Sequence, residues 1–166
     1  MTYRSGRAGT ILQAALRGAA AGAAGVAAMT ATEVIEQRFT GRPDSFVGAR
    51  ALLALLGRPV GDTARPLAWN HAMHWGTGAV LGLLRGTWAV TGLRGGEAHV
   101  LFAVVRLAVD QTVENATGVG APPRTWPSRE RVIDVVHKAV YAVSTGIVAE
   151  SLIRPTLESH RGRTSH

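Results

Sequence analysis

The chain contains no cysteine. Disulfides, thiolate nucleophiles and cysteine-ligated metals are therefore excluded. Lysine is nearly absent: of 18 basic residues only Lys138 is not arginine. No nucleophile triad is recognisable, and Ser144 and Thr145 read as helix-packing hydroxyls. No Gly-Lys-Ser/Thr follows any glycine cluster, which removes a phosphate loop. The Glu-x-x-His pairs of a di-iron bundle are missing. The net charge is +7, yet there is no dense basic stripe or recognition motif, so nucleic acid is not an expected partner. These absences point away from an enzyme and leave no cofactor to expect.

What is present is apolar and helical. The 166 residues suffice for one domain. Mean hydropathy is only slightly positive, because polar residues collect in loops and tails while alanine and glycine dominate the apolar runs. The run WNHAMHWGTGAVLGLLRGTW, Trp69 to Trp88, contains no proline and carries Gly78, Gly82 and Gly86 at intervals of four. These glycines share one helical stripe and let a neighbour approach closely. The two outer tryptophans lie roughly 29 Å apart along a helix, close to the thickness of a bilayer's hydrocarbon core. Gly18, Gly22 and Gly25 mark a similar face in an alanine-rich segment, GAAAGAAGVAAMTATE. That segment follows a short basic lead and superficially resembles a signal peptide. The apolar pattern continues through Val34 and Ile35, so a retained helix is preferred.

The pattern predicts four long helices, over 9–39, 66–90, 97–117 and 128–153. Gly41 and Pro43 stop the first. A short helix over 46–56, too short to span, reads as interfacial or as a cover for the bundle's end, with Asp44 or Ser45 as its cap. The glycine-rich turn 91–96 predicts that the second and third long helices are antiparallel neighbours. Ser128 is the expected cap of the last. Residues 1–8 and 156–166 read as polar tails, the latter disordered. The expected architecture is thus an all-α, integral-membrane, antiparallel four-helix bundle with one short interfacial helix between the first two long ones. Its expected partners are the lipid bilayer and a second copy or a larger membrane complex. Arginines flank the apolar runs, as suits anionic headgroups. An even number of spans puts both termini on one side, taken as the cytoplasm.

Charged groups inside a membrane face the bundle interior. The candidate cluster is Glu33, His71, His74, Asp110, Glu114, His137 and Glu150, with Glu36, Arg106 and Asp134 beside it. Arg106, Asp110 and Glu114 share one stripe. Three readings stay open: internal pairs that set helix register, a file of groups that passes or senses protons, and a metal site clasped by His71 and His74. The glycine faces could also pack against a larger complex, making the chain an accessory subunit.

The loop GVGAPPRTWP, 118–127, followed by His137 in an apolar helix and then Glu150 and Arg154, resembles the YagU-like family of bacterial inner-membrane proteins. The Gly/Ala-rich first span with Glu33 and Gly41-Arg42-Pro43, and the His-then-glycine pattern of the second, are similar too. The resemblance implies a multi-pass inner-membrane protein associated with survival of acid stress, without an established biochemical activity. Pro122, Pro123, Trp126, Pro127, His137 and Glu150 are the positions that match the family's pattern.

Overall fold

The computed structural model describes residues 6–158. They form four long helices and one short one: α1 (Arg7–Thr40), α2 (Val47–Leu55), α3 (Leu67–Thr91), α4 (Gly95–Ala116) and α5 (Ser128–Leu152). A single 3-10 turn, Pro123–Thr125, precedes α5, and no strand occurs among the described residues. The fold is all-helical. Two helices, α1 and α5, are long and apolar enough to cross a membrane.

Glycine and proline set the boundaries. Gly41 takes a left-handed conformation (φ 68°) and its N–H caps the Gln37 carbonyl, which ends α1 before Pro43. Gly92 (φ 97°) ends α3 in the same way, bonding to Trp88 O. Only glycine enters this region cheaply. Two expected caps differ in the structure. Ser128 is already helical, and its Oγ accepts a bond from Arg131 instead. Asp44 accepts from Gln37 and Phe46 occupies the cap position of α2, while Ser45 Oγ accepts from the Val47 N–H at 3.5 Å.

The helices pack in the order α3, α1, α5, α4. Helix α1 is the central element, contacting α3 and α5 along its length, while α4 rests on α5. The expected close pairing of α3 with α4 is only partly realised. They meet near their shared turn, where Trp88 sets its edge on Phe102 (5.8 Å, 72°), and contact each other little beyond it. The cause is side-chain size. The glycine stripe of α3 is used on α1, whereas α4 offers α3 bulky Phe102. Helix α2 lies between them, packing on α3 and touching α4, with Ala49, Ala51 and Leu53 buried. It covers the end of the bundle, here called the α2 end.

The α1–α3 seam is nearly bare backbone. A Cβ on Gly18 would strike the Gly82 carbonyl and lie 2.6 Å from Gly86 Cα; one on Gly22 would strike the Gly78 carbonyl and lie 3.0 Å from Gly82 Cα. Both glycine stripes are therefore consumed inside the bundle and are closed to an outside partner. Around the seam, Ala14, Ala21, Ala89, Val90, Ala149 and Ile153 form one small-residue core, and Val26, Met29, Leu81, Phe102, Tyr141 and Ala142 a second.

The first part of α1 and the end of α5 lie together, opposite α2, where Arg17 donates to the Leu152 carbonyl. The described part of the expected disordered tail lies on the bundle: Leu157 N donates to Val90 O (2.9 Å) and its side chain packs on the small-residue core. Positions 1–5 and 159–166 lie outside the described residues. At the other margin, helix α1 begins at Arg7, inside the tail expected over 1–8.

Candidate functional site

The polar side chains of the interior do not form one cluster. They form three, stacked along the bundle.

The first lies beside the α3–α4 turn. Arg85 projects from the apolar run of α3 and is completely buried. Its guanidinium donates to Glu150 Oε1 on α5, and it faces His99 Nδ1 of α4 at 3.4 Å. Glu150 Oε1 also accepts from the Gly95 N–H (2.9 Å), the first residue of α4. Arg94 donates to the carbonyls of Glu150 and Ile153, both at 2.7 Å. One carboxylate thus joins three helices. Free N–H groups at a helix start attract negative charge, so Glu150 sits well there.

The second lies between α4 and α5. Arg106 Nε donates to Asp110 (2.9 Å), and Lys138 Nζ reaches both Asp110 (3.3 Å) and Asp134 (2.8 Å). Arg106 also stacks over the Tyr141 ring, 4.9 Å from its centre. The Tyr141 hydroxyl donates to Gly78 O across the bundle (2.7 Å). Two cations face two anions, so the group is close to neutral. Such matching offsets the desolvation that an isolated charge would suffer.

The third lies at the α2 end. Arg42 clamps Glu36 through two bonds (2.9 and 3.0 Å) and lies 3.7 Å from Glu33. Burial works against the Arg42 charge, but its bonds to Glu36 and the charges of Glu36 and Glu33 outweigh that and hold its pKa above the usual value. Buried His137 has these same groups as its electrostatic neighbours.

Between the first and second groups lies an apolar layer. Phe102 stacks on Tyr141 (5.6 Å, 28°), both rings fully buried, with Leu81 and Val26 in the same cluster. His99 and Arg106 are about two turns apart on α4, with Phe102 between them.

The expected cluster therefore divides. Glu150 belongs to the first group, Asp110 to the second, Glu33 and His137 to the third. His74 bonds to Thr30 Oγ1 (3.2 Å), while His71 is exposed, so the two do not act as a clasp. Glu114 is half-buried near Gly120, apart from any ion pair. Among the described residues no three His, Asp or Glu side chains gather closely enough to hold a metal ion. Of the motif residues before α5, Trp126 donates its indole N–H to Ala121 O (2.8 Å), which folds the loop back on itself. Pro122 and Pro123 lead into the 3-10 turn, and Pro127 precedes α5. Trp88, expected at a lipid interface, is half-buried against Phe102.

Sequence reasoning missed Arg85, Arg94 and His99. One signal was available: an arginine inside LGLLRGTW needs an acid from another helix, and Glu150 is the only carboxylate in the last three turns of α5.

Comparison with family models, with curated proteins and with solved structures finds no match to this chain.

Proposed function

We propose that this chain is a multi-pass protein of the bacterial inner membrane in which all four long helices cross the bilayer, and that its role is non-enzymatic. One observation carries the reading: the long helices turn large aliphatic side chains outward while two arginines lie inside. Leu12 (61% exposed), Val80 (62%), Val100 (66%) and Ile147 (58%) face outward on α1, α3, α4 and α5, while Arg85 (0%) and Arg106 (3%) are inside. Water favours the opposite arrangement, with large aliphatic side chains inside and charges outside. Lipid favours this one. The helices have the length it requires: the shortest, α4, has 22 residues, roughly 33 Å against a hydrocarbon core of about 30 Å.

Within this reading the interior charges serve mainly as helix-to-helix ties. Each main ion pair holds a helix end or joins neighbours, and the Phe102–Tyr141 layer separates the Arg85–Glu150 group from the titratable groups nearer the α2 end. The resemblance to the YagU-like family supports a role in acid tolerance, which we attribute to a bundle whose main interior charges are held in ion pairs.

The cysteine-free chain makes the test direct. Single cysteines at Val80, Val100 and Ile147 should resist a water-soluble maleimide in native membranes and react after denaturation. A cysteine at exposed Arg58 should react readily when its side is accessible. Ready labelling of the three aliphatic positions in intact membranes would overturn the reading. For the physiological role, loss of the protein should lower survival of acid challenge, and unchanged survival would remove that part alone.

A further inference from the structure

Arginines at the α2 end outnumber the acids that pair with them. Arg42 takes Glu33 and Glu36, Arg50 takes Asp62, and Asp44 accepts from Gln37. Arg38, Arg58, Arg65, Arg124 and Arg129 are all exposed, and none forms an ion pair among the described residues. Glu114 and Glu130, both partly buried, are acids at this end outside those pairs. At the opposite end Arg17 and Arg94 are directed onto backbone carbonyls at the end of α5, which leaves Arg7 and Arg154. Among the described residues the free positive charge is therefore concentrated at one end; Arg4, Arg161 and Arg163 lie outside them.

Apolar side chains accompany these arginines. Phe39, 88% exposed, adjoins Arg38. Exposed Leu55 and Leu56 precede Arg58, exposed Leu67 and Trp69 follow Arg65, and Trp126 follows Arg124. Guanidinium groups bind phosphate oxygens in pairs. Aromatic and aliphatic neighbours at the same level suit the boundary between headgroups and acyl chains.

We propose that the α2 end binds anionic phospholipid headgroups, of the phosphatidylglycerol class, through Arg38, Arg58, Arg65, Arg124 and Arg129. The proposal rests on the membrane reading above and adds the lipid class, the end of the molecule and the residues. Phosphate bears the charge that the free guanidinium groups lack, and the flanking leucines, Phe39 and Trp69 fix the depth at which the ring sits.

The experiment titrates phosphatidylglycerol or phosphatidylcholine into protein held in a neutral detergent and counts bound lipid by native mass spectrometry. It compares the wild type with a set carrying Arg58, Arg65, Arg124 and Arg129→Gln, and with a control carrying Arg7 and Arg154→Gln. All six positions are exposed and form no ion pair among the described residues, and circular dichroism checks that helicity is kept. The wild type should prefer phosphatidylglycerol. The α2-end set should lose that preference, by about fivefold per arginine removed, while the control stays within about twofold of the wild type. Equal binding of both lipids by the wild type, or an equal loss in the control, would overturn the proposal. Tighter capture of a single-stranded oligonucleotide than of lipid by these arginines would overturn it too. Failure to enter vesicles of either lipid would instead strike the membrane reading itself.

Discussion

Adding a single methyl group to the α1–α3 seam should loosen the whole bundle, and the structure indicates by how much. In Gly82→Ala the new Cβ would lie 2.9 Å from Gly22 Cα and 3.0 Å from Gly22 N, with the Gly18 carbonyl closer still. Ordinary contact begins at 3.4 Å. Every obstructing atom is backbone, so no side chain can swing aside, and the helices must part. Parting by roughly 0.5–1 Å forfeits a quarter to a half of each dispersion contact along the seam. Overpacking of this kind costs about 1–3 kcal/mol. The control is Gly76→Ala on the same helix, where the Cβ meets nothing within 4 Å. There alanine's helix preference should stabilise by about 0.5–1 kcal/mol. The two substitutions are chemically identical and should have opposite signs. The assay is SDS-driven unfolding of the detergent-solubilised protein, followed by far-UV circular dichroism. If Gly82→Ala and Gly76→Ala shifted the midpoint equally and in the same direction, the seam would not be as close as described.

Other substitutions test the interior charges. Glu150→Ala leaves fully buried Arg85 without its counter-ion and should cost about 3–5 kcal/mol in the same unfolding assay; adding Arg85→Met should restore part of the loss, and no recovery would contradict the pairing. Asp110→Asn removes the acid shared by Arg106 and Lys138 and should destabilise more than Asp134→Asn, whose partner Lys138 keeps Asp110; the reverse order would contradict the network. Tyr141→Phe deletes one bond to the Gly78 carbonyl and should cost only about 0.5–1.5 kcal/mol, so a larger loss would mean that the hydroxyl does more than tie α5 to α3.

Much of the secondary structure is legible in the residues. Long apolar runs broken at Gly41–Pro43, Gly57–Pro59, Gly92 and Pro127 mark all five helices, because glycine and proline punctuate the backbone by local chemistry alone. The three-dimensional arrangement is less legible. Short connections suggest that α3 and α4 lie together, yet the partner of α3 is α1, since closeness depends on where side chains are missing. Gly18 and Gly22 offer α3 a bare surface that Phe102 does not. The polar interior shows the same limit. His71 and His74 attract attention as titratable neighbours one turn apart, but one faces outward and the other bonds to Thr30. The tie that joins three helices runs instead through Arg85 and Glu150, separated by 65 positions in sequence, and no local pattern connects them. The disposition of Lys138 between Asp110 and Asp134 likewise needs the α4–α5 contact to be known first.

Hydrocarbon should surround the outer faces of α3 and α4, the two helices that carry Arg85 and Arg106 inward. A nitroxide attached to cysteine at Val104 or Val80, in protein reconstituted into bilayers, reports this through its collisions with dissolved oxygen and with a water-soluble nickel complex. Oxygen, which concentrates in lipid, should dominate at both positions. Nickel collisions as frequent as those at an exposed loop site such as Arg58 would show water on these faces and contradict the account.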